Sequence, residues 1–297
     1  LLQIIGASKS GLKFNVTSPK FKYVKEYLFV SFPLVVGQSI AVVDEQLYRI
    51  FGSILSAGSV ASFRYARRIA LLPVGVIAQA IGVASYPLLA KLFKNNDLEE
   101  LNLLVRKQLV YLFTVNGIIM VFCILNSKFL IELIYERGAF STQDTLRVSN
   151  IFSIIAFAIV PWSINQILTR SFYIQKKFWF PVASGSTITF TSVLFLILTG
   201  SKTAEQYAIV ITFSLFLYSL ILLYTVKFGE TKVFNKSMGM DLYKSSLVLL
   251  FIYLLLSQFL TNAGFMGALM SLLIIFLISY ASIHLLKFKY INITKRK

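Results

Sequence analysis

Long apolar runs separated by short polar connections make up almost the whole chain. Eight of these runs come close to the roughly 20 apolar residues that a transmembrane helix needs. They cover residues 27–43, 69–90, 108–125, 148–169, 178–199, 207–226, 245–260 and 266–286. The pattern predicts an all-α integral membrane protein, a polytopic helical bundle with about eight transmembrane helices, and an even number of spans places both ends on one side.

The basic residues predict the orientation of this bundle. Of the 29 Lys and Arg residues, 21 lie in the terminal segments and alternate connections, five lie in the other connections, and three open the second span. The 12 acidic residues are divided evenly. Because cytoplasmic loops are enriched in Lys and Arg, we expect a multi-pass protein with both ends in the cytoplasm.

Composition supports this class and argues against others. The chain is 57% hydrophobic with a mean hydropathy of +0.76, outside the balance of soluble domains. A net charge of +17 could indicate nucleic-acid binding. The cations, however, lie in short connections without interleaved aromatic residues, so we expect no nucleic-acid partner.

Residues typical of enzymes are sparse. Cys123 and His284 each stand alone in apolar segments, so no disulfide, metal site or histidine general base is expected. The sequence contains no phosphate-binding loop, nucleophile elbow or paired carboxylates within a span. It therefore predicts neither an enzyme nor a bound cofactor.

Proline and glycine interrupt several of the predicted spans. The interrupting residues are Pro33, Gly37, Pro73, Gly75, Gly82, Pro87 and Pro161. Breaks of this kind persist in membranes where neighbouring helices or a water-lined cavity satisfy the freed backbone groups. Bent helices around a cavity favour a transporter over a passive anchor.

Three arginines open the second span. Arg64, Arg67 and Arg68 have the i, i+3, i+4 spacing that places side chains on one helix face. One interpretation is an anion site, since guanidinium groups bind phosphate oxygens in pairs and stay protonated. The other is that the side chains extend to the outer membrane interface. The spacing leaves both open.

Acidic residues end the first span on the same side. Asp44 and Glu45 precede Arg49 there. These carboxylates could pair with the arginines of the second span, bind a coupling cation, or form an ordinary solvated helix end.

Three motifs follow one another within residues 27–200. They are Tyr65-Ala66-Arg67-Arg68-Ile69 with Leu72-Pro73-Val74-Gly75, then Glu136-Arg137-Gly138-Ala139-Phe140-Ser141, and then Arg170-Ser171-Phe172-Tyr173 followed by Pro181. In this order and spacing they resemble the lipid II flippase family called MurJ or MviN. One departure is Arg67, which stands where many members of that family have Asp or Asn.

The resemblance implies a fold and a division of the chain. The family belongs to the multidrug/oligosaccharidyl-lipid/polysaccharide (MOP) exporters, which have two lobes and fourteen helices. Residues 1–25 would then be the end of a preceding helix and a cytoplasmic linker, and 26–230 the second lobe. Residues 231–297 would be two additional C-terminal helices and a basic tail. The chain is thus expected to be the C-terminal part of a longer protein and to lack the first lobe of that protein.

The resemblance also implies site residues. Arg68 matches an arginine of the family's central cavity that is needed for activity, and Asp44 matches an acidic position of the seventh helix. Arg170 belongs to the third motif. We expect Arg68, Arg64, Arg67, Asp44 and Arg170 to bind substrate.

The function implied is alternating-access transport of lipid II, an undecaprenyl-pyrophosphate glycolipid, across the bacterial cytoplasmic (inner) membrane. The expected partners are lipid II, membrane lipids and the first lobe. Alternatives are a flippase for another polyprenyl-linked polysaccharide and a non-transporting scaffold of cell-wall synthesis. A membrane enzyme is the least favoured because no acid, base or metal set is present.

Overall fold

The structure is a computed structural model that describes residues 58–200 and 203–259, with a few single positions on either side. Within this part, six helices are long and apolar enough to cross a membrane. They are Ser59–Lys94, Leu98–Leu125, Thr142–Tyr173, Trp179–Leu198, Ala204–Thr225 and Lys236–Ser257. Six of the eight predicted spans are confirmed, while 27–43 and 266–286 lie outside the described residues.

Two of the six spans combine several helical segments, and one short helix, Ser127–Tyr135, lies outside the spans. In the described residues the helical segments are α1 Ser59–Pro73, a π-helical turn Val74–Ala78, α2 Gln79–Lys94, α3 Leu98–Leu125, α4 Ser127–Tyr135, α5 Thr142–Ile155, a 3-10 turn Ala156–Ala158, α6 Ile159–Tyr173, α7 Trp179–Leu198, α8 Ala204–Thr225 and α9 Lys236–Phe259. A two-stranded antiparallel hairpin, β1 Lys227–Phe228 and β2 Thr231–Lys232, precedes α9.

The first described span bends away from ideal α-geometry after Pro73. The π-helical turn follows this proline directly, before α2 resumes α-geometry. Small or short residues are buried at every fourth position through the turn. They are Ala66, Ala70, Val74, Ala78 and Gly82. Short side chains there allow α1 and α2 to pack closely on the bundle.

Pro161 produces the second break that the sequence predicts. A proline at this position cannot donate a hydrogen bond to the carbonyl of Phe157, four residues earlier. The chain accordingly winds as a 3-10 turn over Ala156–Ala158. The Ser219 hydroxyl of α8 donates to the Asn165 side-chain oxygen at 2.9 Å, which fixes α8 against the resumed helix α6.

The main core lies between the central helix α3 and the spans around it. Helix α3 packs against α6 and α9, whereas α5 packs against α1, α4 and α8. The largest fully buried side chains include Phe152, Ile159 and Leu109. These helices hold α1 and α2 at the periphery of the described bundle, with one long face of each exposed.

Helix α9 attaches to α3 through a smaller apolar cluster. Leu249, Ile252 and Leu256 of α9 pack on Ile118 and Val121 of α3. A hydrogen bond of 2.9 Å between the buried hydroxyls of Thr114 and Ser245 joins the same helices. The opposite face of α9 exposes large apolar side chains, including those of Leu250, Phe251 and Leu254.

The hairpin before α9 is docked on the bundle. Arg106 of α3 donates to the carbonyl oxygens of Lys232 at 2.7 Å and Val233 at 2.6 Å. Phe228 and Val233 are buried in the main core. The boundary predicted between residues 230 and 231 falls at the end of the hairpin turn.

Candidate functional site

The exposed face of α1 carries two of the three arginines. Arg64 and Arg68 are both exposed, whereas Arg67 is half-buried. The guanidinium carbon of Arg67 lies 5.9 Å from the centre of the Trp162 ring of α6, within cation–π range. The predicted triad is thus divided by burial: Arg67 lies about 60° around α1 from Arg64, on the side that faces α6, whereas Arg64 and Arg68 are on the exposed side.

Arg64 and Arg68 are cations that no carboxylate neutralises in the described part of the chain. Both side chains project from the open face, while neighbouring Phe63 and Ile69 point into the core. Two close guanidinium groups in this position attract an anion, since each can donate paired hydrogen bonds to phosphate oxygens. Asp44, the carboxylate expected to orient them, lies outside the described residues.

An aromatic cluster of Tyr65, Tyr135 and Phe140 adjoins these arginines. The Tyr65 ring centroid lies 4.8 Å from that of Tyr135 and 5.6 Å from that of Phe140, the latter edge to face. Burial raises the pKa of Tyr135, and the charge of Arg68 partly opposes this effect. Tyr65 lies three residues before Arg68 on α1, so the cluster and this arginine occupy adjoining positions on the helix.

The loop that carries the second motif is held by side-chain hydrogen bonds. Glu136 accepts hydrogen bonds from the hydroxyls of Thr142 at 2.6 Å and Thr145 at 2.5 Å, which lower the pKa of Glu136. Ser141 and Asp144 form a capping box at the start of α5. The motif therefore fixes the path of the chain between α4 and α5 and so positions the aromatic cluster.

Arg170 lies near the end of α6, at the opposite end of the span Thr142–Tyr173 from the loop of the second motif. Its Nη1 donates to the Gln166 carbonyl at 2.5 Å and to the Gln166 side-chain oxygen at 2.8 Å. The guanidinium lies directly on Gly82 of α2, where a Cβ atom would be 2.7 Å from Nη1. Gly82 is 14 positions beyond Arg68, or roughly 20 Å along the helix. The structure therefore does not bring Arg170 and Arg68 together.

A further polar residue that the sequence did not single out is Asn116. It lies fully buried in α3, and neither polar atom of its side chain has a hydrogen-bond partner. A buried, unsatisfied amide is uncommon in a folded protein and destabilises it. Only its neighbours in space reveal this state, so a sequence pattern could not have identified it. In the described residues, no group of three His, Cys, Asp or Glu side chains could hold a metal ion.

Comparison with known proteins finds one matching family over most of the chain. The family model for lipid II flippase MurJ matches residues 1–278. A probable lipid II flippase MurJ of Helicobacter pylori strain J99 is 34% identical over 163 residues, which cover 52% of this chain and 35% of that protein. Its counterpart in strain 26695 is 33% identical over 178 residues, or 57% and 38% of the two chains.

A solved structure supports the same fold. Lipid II flippase MurJ in an inward closed conformation superposes with a TM-score of 0.68 at 24% identity, covering 95% of this chain and 59% of that one. The present chain spans little more than a third of the length of the two Helicobacter relatives.

Proposed function

The chain belongs to the lipid II flippase MurJ family, and on this premise we propose that it forms the second lobe and following helices of a lipid II transporter. The two Helicobacter relatives carry the name of probable lipid II flippases. Six helices of the described residues can cross a membrane. The protein would work in the bacterial inner membrane, together with a first lobe encoded upstream.

The pair of exposed arginines on α1 is the observation that supports this function best. Arg64 and Arg68 lie one helical turn apart on the open face. A pyrophosphate carries charge on several oxygens and can accept paired hydrogen bonds from both guanidinium groups. Arg67 adds positive charge from its position beside Trp162. Asp44 remains the proposed partner that orients these side chains.

Arg170 is proposed as a second contact for the same head group. The distribution of Lys and Arg predicts that the Arg170 end of the span Thr142–Tyr173 is cytoplasmic and that the Arg68 end of the span Ser59–Lys94 is at the outer side. Arg170 would meet the head group when the cavity opens inward, and Arg64 and Arg68 would hold it when the cavity opens outward. The two positions suit alternating access between lobes.

This transport needs no covalent chemistry. The arginines supply binding energy for the anionic head group, and the rocking of two lobes changes the side from which the site is reached. A net charge that moves with the substrate couples to the membrane potential, at about 2.3 kcal/mol per charge per 100 mV. An ion gradient is the alternative source of energy.

The test replaces Arg68 in the full-length natural protein. Arg68→Ala should abolish exposure of lipid II on the outer leaflet and growth of flippase-depleted cells, with normal membrane insertion. Arg68→Lys should also be impaired, because an ammonium lacks the paired donors of a guanidinium. Lys128→Ala is the control, since Lys128 is an exposed cation of α4 that lies outside the three motifs. Normal transport by Arg68→Ala would leave only an interfacial role for this arginine.

A further inference from the structure

The aromatic cluster exposes part of one ring, that of Tyr65, which the proposed phosphate contacts do not involve. Tyr65 is 39% exposed, although Tyr135 and Phe140 cover part of its ring. At about 100° per residue, Tyr65 lies about 60° around α1 from Arg68, and it is exposed like Arg64 and Arg68. One ring therefore stands on the open face immediately beside the two cations.

Two other aromatic side chains hold the Tyr65 ring in a fixed orientation. The Phe140 ring meets Tyr65 edge to face, and Tyr135 packs against both rings. The hydrogen bonds of Glu136 in turn fix the loop that carries Phe140. A tyrosine already immobilised in this way offers contact area to a ligand without a further loss of side-chain entropy.

Tyrosines are also common in the aromatic belts of membrane interfaces, where they face lipid head groups. Under the proposed function Tyr65 has a different role, because it lies beside the arginines that bind the head group. Charged side chains within a membrane protein face the bundle interior or a water-filled cavity. Because Tyr65 shares its face with Arg64 and Arg68, it faces the same polar space.

A tyrosine ring beside two guanidinium groups favours one class of ligand, a sugar bonded to a phosphate. The face of an aromatic ring is electron-rich and attracts polarised C–H groups, and a phenol can also exchange hydrogen bonds. A sugar ring presents a face of C–H groups surrounded by hydroxyls. In a glycosyl pyrophosphate, the first sugar is bonded directly to phosphate. Side chains three residues apart on a helix have Cβ atoms about 5–6 Å apart, so Tyr65 lies one sugar ring away from a phosphate bound at Arg68.

We propose that Tyr65, supported by Tyr135 and Phe140, is the subsite for the sugar ring attached to the pyrophosphate. This inference rests on the proposed function and adds to it the contact that distinguishes a glycosylated lipid from the bare polyprenyl pyrophosphate. Arg64 and Arg68 bind the pyrophosphate, which both lipids carry. Tyr65 contacts the sugar, which only the glycosylated lipid carries.

The test measures binding of two lipids to the purified full-length protein in nanodiscs. The probes are lipid II and undecaprenyl pyrophosphate, which lacks the sugar. Tyr65→Leu should weaken binding of lipid II by roughly two- to tenfold, the range expected for one aromatic contact, and leave binding of undecaprenyl pyrophosphate unchanged. Tyr65→Phe should retain most of the affinity for lipid II. Tyr111→Leu is the matched control, because Tyr111 is 38% exposed on α3.

The outcomes separate this inference from the function on which it rests. Equal effects of Tyr65→Leu on both lipids, or no effect on either, would overturn the sugar subsite while leaving pyrophosphate binding intact. Failure of the wild-type protein to bind either lipid would overturn both proposals. Should the Leu variant unfold in thermal scans, Tyr65→Gln, which also lacks a ring, is judged by the same two measurements.

Discussion

Adding one methyl group at Gly82 is a direct test of the role of Arg170. A Cβ atom there would lie 2.7 Å from Nη1 and 2.8 Å from Cζ of Arg170, whereas ordinary contacts begin at 3.4 Å. The guanidinium must therefore retreat by about 0.7 Å. It is the end of a flexible side chain, and Gly82 lies within a helix, so we expect Gly82→Ala to fold. Alanine even favours the helix by roughly 0.5–1 kcal/mol over glycine.

The displaced guanidinium loses alignment with its present acceptors and with any phosphate. A hydrogen bond to a charged group contributes about 1.5–3 kcal/mol. Losing half of one such bond corresponds to roughly a three- to tenfold fall in affinity. We therefore expect Gly82→Ala to lower lipid II exposure on the outer leaflet by a similar factor at limiting expression, with an unchanged or raised unfolding temperature.

Gly75→Ala provides the control for this prediction. It adds the same methyl group to the same span, at a position where the new Cβ meets no heavy atom within 4 Å outside the adjoining turns of its own helix, and should transport normally. In a Gly82→Ala, Arg170→Ala double variant, the glycine change should add nothing further, because its effect acts through Arg170. Normal transport by Gly82→Ala, or full additivity of the two changes, would refute the reasoning.

Three other expectations can be checked independently. Asn116→Leu should raise the unfolding temperature, since it removes a buried amide without partners that costs about 1–3 kcal/mol; a lower temperature would mean that the amide finds partners in the folded state. Glu136 has a lowered pKa, so its contribution to the loop is present above the usual glutamate range and is lost as the pH falls through that depressed pKa. The protection factors of residues 137–145 against hydrogen exchange, taken relative to the intrinsic rate at each pH, should therefore fall in acid, and Glu136→Gln should show lower protection already at neutral pH. For orientation, an impermeant thiol reagent on intact cells should label Gln143→Cys but not Glu230→Cys, both at exposed positions, and the reverse pattern would contradict the assigned topology.

The sequence predicted the features that depend on local pattern. Hydropathy identified each span in the described residues, because burial in lipid requires a long apolar run. Pro161 was expected to interrupt its helix, and the 3-10 turn before it confirms this. Arg64 and Arg68 were expected on one face and share it, since i, i+4 spacing alone determines this.

Features that depend on contacts between distant segments were not predicted. The partner of Arg67 is Trp162, on another helix, and the spacing of the arginines carries no information about it. The packing of Arg170 on Gly82 depends on how α2 and α6 cross. The second motif was visible as a family resemblance, but its hydrogen bonds at Glu136 became interpretable only in three dimensions.

The π-helical turn has a consequence for insertions and deletions. In a regular α-helix a step of four residues overshoots one turn by about 40°, so a row from Ala66 to Gly82 would drift by roughly 160°. The π-helical turn over Val74–Ala78, called the wide turn below, accommodates one extra residue, which corresponds to about 100° of rotation. It therefore keeps the row from Ala66 to Gly82 on the packed side. Loss of one residue within this turn would restore a plain α-helix with Gly82 still directed at Arg170. The same loss between Ala78 and Gly82 would turn the glycine away, so natural length variation in this span should be confined to the wide turn.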